Sequence, residues 1–159
     1  MNILTANLVL STVVFWVAAK IYLIPRIGRL DEKAVLVPIL LLHSLRHLGL
    51  MFLAPGAIYP GLPAQFAYPA AYGDLLTAIL AVAAILAGTP RWLVWVFNVV
   101  GTLDLINAIV LATLNGADRF MGPAYWIPAF WVPALLVTHY LTFVVLLRKN
   151  FSAEIADAR

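Results

Sequence analysis

The sequence predicts an all-α integral membrane protein, a bundle of five transmembrane helices with its N-terminus outside and its C-terminus in the cytoplasm. Three observations lead there. Of 159 residues, 64% are hydrophobic and only 11% are charged, whereas soluble domains run near ~45–50% apolar and ~25% charged. The apolar residues gather in five runs of about 20, the length that crosses ~30 Å of hydrocarbon at ~1.5 Å per residue. The basic residues lie almost entirely between those runs, and at one end of them.

The first run is Leu4–Ile24. It has no basic segment ahead of it and is too long for the apolar core of a leader, so it reads as a span and not as a signal peptide. A short charged connection, Pro25–Lys33, leads to the second run, Ala34–Leu53. The next connection, Ala54–Ala67, has no charge but contains Pro55, Gly56, Pro60, Gly61 and Pro63. An apolar, proline-rich connection is expected to lie in the membrane interface or dip into it. The third run, Tyr68–Ala87, ends in the tight Gly88-Thr89-Pro90-Arg91 turn, and the fourth is Trp92–Leu114. After a connection carrying Asp118 and Arg119 comes the fifth, Ala124–Leu147, whose outer half should be bent by Pro128 and Pro133. Residues 1–150 are thus read as one five-helix transmembrane domain, and residues 151–159 as a short polar cytoplasmic tail.

Arg26, Arg29, Lys33, Arg91, Arg148, Lys149 and Arg159 fall at one end of this arrangement, with Lys20 close by, and only Arg119 falls at the other. The positive-inside rule puts the basic end in the cytoplasm. Small size and an outside N-terminus suit a bacterial inner membrane. The formal net charge of +3 and the pI near 9.5 then reflect topology and anionic lipid, and no nucleic-acid partner is expected. The chain has no cysteine, which excludes disulfides, thiolate metal sites, cysteine nucleophiles and thioether-linked haem.

The stretch His43-Ser44-Leu45-Arg46-His47 breaks the second apolar run. Ionisable groups at membrane depth are costly and mark functional sites. Measured from the basic end at ~1.5 Å per residue, Arg46, His47, Asp74 and Asp104 share a level near ~18–20 Å. His43 and His139 lie about one turn lower, near ~12–13 Å. These residues come from runs of opposite direction, so the shared levels are not imposed by chain order. At α-helical spacing His43, Arg46 and His47 occupy one face of the second helix. Asn98, Gly101, Asp104 and Asn107 make a polar stripe on the fourth, and Gly73, Asp74 and Thr77 make a small polar patch on the third. The fifth contributes Thr138, His139 and Thr142, with Trp126, Phe130 and Trp131 as an aromatic mouth opening outward.

The favoured reading is an intramembrane pocket that binds a lipophilic small molecule. Arg46 would be held by Asp74 and Asp104, and His47 would exchange protons with them. One carboxyl kept protonated in a dry site can act as a general acid, in isomerase- or cyclase-like chemistry. In this reading His47, Asp74 and Asp104 are the catalytic residues, and His43, Arg46, Asn98, Asn107, Trp131 and His139 bind the ligand. Residue types alone leave open whether a reaction is catalysed. A second reading makes His43 and His139 the axial ligands of a b-type haem, with Arg46 meeting a propionate. His43 and His47 also have the i, i+4 spacing of a metal pair, but the charge of Arg46 between them opposes a cation, so no metal is expected. A proton or ion pathway and a purely structural ion-pair lock are the remaining readings. Small residues on the third helix, Ala78, Ala81, Ala84 and Gly88, could equally face a neighbouring protomer, which would make a homo-oligomer.

Overall fold

Five helices take up the apolar runs in a computed structural model of the chain, which describes the backbone of residues 2–157 and the side chains of residues 2–148. They are α1 (Ile3–Ile27), α2 (Glu32–Leu53), α3 (Ala64–Leu86), α4 (Arg91–Leu114) and α5 (Gly122–Arg148). Each is long and apolar enough to cross a membrane, as a multi-pass membrane protein requires. No strand occurs among the described residues. The regular part of α5 begins at Val132, and its helical backbone continues to Asp157, through most of the residues read as the polar tail. Residues 158–159 and the side chain of Lys149 lie outside the described part, and with them two of the basic groups counted above.

Prolines shape the local winding. α1 and α5 each contain a π turn, Ala19–Leu23 and Ile127–Trp131, and each turn is followed by one residue and then a proline. Proline has no N–H, and its ring crowds the carbonyl one turn back. Ahead of Pro25 and Pro133 the chain widens, with Ile24 N–H bonded to the Ala19 carbonyl and Val132 N–H to that of Ile127. α2 opens under an Asp31 cap that accepts from Lys33 N–H at 3.0 Å. It is α-helical through Ser44, then continues as a 3-10 helix from Leu45 to Leu53. A 3-10 helix stacks every third residue, and the buried residues here follow that period: His43, Arg46, Gly49 and Phe52.

α2 packs on α3, α3 on α4, and α4 and α2 on α5, while α1 leans mainly on α5. Ala78, Ala81 and Ala84 are buried within the bundle. These three alanines therefore pack within the chain, while Gly88, the fourth of that small-residue set, is exposed. One apolar core lies toward the basic end and includes Leu36, Leu40, Val94, Phe97, Leu141 and Leu146. The other lies toward the opposite end and includes Leu4, Phe52, Phe66, Met121 and Ile127. Arg91 ties the basic end together, donating to Glu32 Oε1 at 2.8 Å and to the Leu146 carbonyl at 2.5 Å. At the opposite end the two connections pair with each other. Tyr59 N–H donates to the Phe120 carbonyl at 2.9 Å, and Ala124 N–H to the Ala57 carbonyl at 2.8 Å. A polar layer separates the two cores.

Candidate functional site

Arg46 is the centre of that layer, and its side chain is wholly buried. Nε donates to Asp74 Oδ1 at 2.7 Å and Nη2 to Asp104 Oδ2 at 2.5 Å. Nη1 donates to the Gly101 carbonyl at 3.2 Å and lies 3.2 Å from His139 Nε2. Four of its five N–H bonds thus have acceptors on α3, α4 and α5. A guanidinium cannot accept, so Nε2 of His139 must be the acceptor and the ring is neutral with its proton on Nδ1. That proton goes to Asn98 Oδ1 at 2.7 Å, and Asn98 Nδ2 donates to the His139 carbonyl at 3.2 Å. Asn98 thereby fixes both the tautomer and the orientation of the imidazole.

His43 sits one 3-10 turn from Arg46 and is fully buried. The Thr138 hydroxyl donates to carbonyls of its own helix, Ala134 at 2.9 Å and Leu135 at 3.1 Å. It therefore accepts from His43 Nε2 at 2.9 Å, leaving Nδ1 unprotonated and without a hydrogen-bond partner. The His43 ring lies against those of His139 and Phe97, with centroids 4.2 Å and 5.1 Å away. Phe97, itself fully buried, belongs to the core that shuts this side of the layer off from the basic end.

Three glycines let these groups meet. A Cβ on Gly49 would strike the Asp74 carboxylate, one on Gly73 the Asp104 carboxylate, and one on Gly101 would come within 2.6 Å of the His139 ring. Bare positions on α2, α3 and α4 are thus what allows the side chains to cross between helices.

Six of the residues expected at the site are brought together: His43, Arg46, Asp74, Asn98, Asp104 and His139. Three are not. His47 is exposed, its Nδ1 2.9 Å from the Ser44 carbonyl, in an outer groove with Leu75, Ala78 and Ile79. The reason is the 3-10 winding. At about 100° per residue His43 and His47 share a face, but at about 120° per residue they stand roughly 120° apart. The same rotation rules out a shared metal ion for this pair. Asn107 is exposed because a stripe of every third residue drifts around an α-helix, and nine residues carry it about 180° from Asn98. Trp131 lies in a groove lined by α1, α2 and α5, with Phe15, Ala19 and Leu42, and Phe130 packs edge-on to Phe15. Phe130 and Trp131 therefore face α1, and Trp126 is exposed and packs edge-on to Trp131. Axial imidazoles on a haem iron need a porphyrin-thick slot between them. The rings of His43 and His139 touch each other, and Nε2 of His139 is taken by Arg46, so this geometry does not make such a site.

A cavity of about 120 Å³ lies on the other side of the layer; an outward-opening pocket was expected from the sequence, but not these walls. Asp74 forms its floor; Leu4, Phe52, Phe66, Leu105, Ile127 and Val132 are among its walls; Asn2, Thr5, Thr113 and Asp118 also line it. Every helix contributes. Two features of the sequence could have marked this place, the Arg46, Gly49, Phe52 period of three and the glycines facing the carboxylates. Neither has meaning until the winding and the neighbours are known.

No curated protein and no solved structure matches this chain. A family model does match residues 3–147, which takes in the polar layer, the spans of α1 to α4, α5 up to residue 147 and nearly all of the cavity lining. The chain belongs to that family, described as Domain of unknown function (DUF8737).

Proposed function

We propose that this protein binds a lipophilic small molecule in the cavity above Asp74, within a bacterial inner membrane, with its N-terminus outside and its C-terminus in the cytoplasm. One observation carries the reading: Asp74 is at once the ion-pair partner of Arg46 and the floor of an apolar cavity. A volume of about 120 Å³ is close to the ~150 Å³ of an engineered apolar cavity that holds benzene. It suits a compact apolar body or one end of a longer chain. The basic residues at the far end support the orientation.

The roles divide by contact. Asp74 meets the ligand, and Asp104 shares the guanidinium with it, so a proton can be held by either carboxyl. Arg46 holds both in place, and Asn98 with His139 holds Arg46. Such a carboxyl pair in a water-poor site is suited to general acid–base work on the bound molecule. His47 has no part in this proposal because its ring faces away from the layer.

The test is extraction of the protein, purified in mild detergent, followed by mass spectrometry of what is released. A lipophilic species should accompany the wild type and be lost from Ala70→Phe, which fills the cavity. Equal recovery from both would overturn the reading. The ion-pair lock remains a second reading, favoured by the complete burial of Arg46 and its four acceptors on three helices. A lock predicts that Asp104→Asn alters stability alone and leaves ligand recovery unchanged.

A further inference from the structure

We infer, resting on the cavity reading above, that the ligand is a lipophilic cation: a protonated amine on a compact apolar body. Charge in the polar layer is the first ground. One guanidinium faces two carboxylates, and His139, accepting from Arg46, is neutral. His43 adds no charge, since its Nδ1 has no partner and its Nε2 donates to Thr138. With both carboxylates ionised, the layer carries one negative charge more than it can neutralise. A buried surplus of this kind calls for a counter-charge, supplied by a proton or by a bound cation.

The second ground is where that surplus can be reached. Asp74 lines the cavity and Arg46 does not. No lysine, arginine or histidine is among the described lining residues; Asp118 is the second acidic group there, and the other polar ones, Asn2, Thr5 and Thr113, are neutral. An anionic head would meet two carboxylates and, among the described lining residues, no basic side chain. A neutral alcohol would leave the surplus in place. An ammonium group on Asp74, with its apolar body against Phe52, Phe66 and Leu105, satisfies both the charge and the walls.

The test uses the full chain in detergent, titrated calorimetrically at pH 7 with n-hexylammonium, 1-hexanol and hexanoate. Ala70→Phe serves as the background for partition into micelles. Hexylammonium should bind at least tenfold more tightly than hexanol, and hexanoate most weakly. Asp118→Asn should weaken hexylammonium about threefold without changing hexanol. Asp74→Asn, where it folds, should erase the preference. Equal binding of amine and alcohol would overturn the cation inference and leave the pocket standing, with the surplus carried by a proton. Tightest binding by hexanoate would do the same. Failure of all three to bind above the Ala70→Phe background would overturn the pocket and the inference together.

Discussion

Gly49 and Asp74 meet with no side chain between them: the α-carbon of Gly49 on α2 lies against the carboxylate that α3 sends to Arg46. A methyl group there would collide with Asp74 and pull it from the guanidinium. Gly49→Ala is expected to destabilise the protein by roughly 3 kcal/mol or more, combining overpacking with loss of a buried ion pair. Denaturation in detergent, followed by circular dichroism, measures it.

Arg46→Leu strands two carboxylates in an apolar layer, which should cost about 3–5 kcal/mol. The triple variant Arg46→Leu/Asp74→Asn/Asp104→Asn removes the charge altogether and should recover most of that loss. If the triple variant also retained ligand, the carboxylates would have no role in binding.

Asn98 grips His139 twice, through the ring and through the backbone. Asn98→Leu should cost about 1–3 kcal/mol by leaving a buried ring N–H unpaired. Nitrogen-15 spectra of histidine-labelled protein should show the His139 proton on Nδ1 in the wild type and a mixture of tautomers in the variant.

His47→Ala should change stability by no more than about 0.5 kcal/mol, as an exposed position allows. It should leave ligand recovery intact. His139→Ala, in contrast, removes an acceptor from Arg46 and should lower both. A large loss of recovery in His47→Ala alone would place this ring in the site after all.

The chain has no cysteine, so single cysteines report topology cleanly. Arg119→Cys should react with a membrane-impermeant maleimide added outside intact cells, and Arg29→Cys only after the cells are broken. The reverse pattern would invert the proposed orientation.

The five spans were legible in the chain because hydrophobic length and the absence of charge are local properties. The common height of Arg46, Asp74 and Asp104 was legible too, since Arg46 lies only two residues into the 3-10 stretch and the longer rise there, about 2.0 Å against ~1.5 Å, adds only about 1 Å. The direction in which each side chain points was not. Azimuth depends on residues per turn, and α2 tightens to a 3-10 winding where Arg46, Gly49 and Phe52 must all face α3, which turns His47 outward. Asn107 was lost to the same kind of angular drift. The cavity belongs to no single segment: it is the space left where α1 leans on α5 instead of closing against α4. The membrane-spanning class and the depth of the charges therefore came from sequence alone. Asp74 and Asp104 were expected as the holders of Arg46 from their shared level, but the Gly101 and His139 contacts, the tautomer of His139 and the walls of the cavity beside Asp74 were decided only by tertiary packing, because each depends on side chains from separate helices meeting at fixed angles.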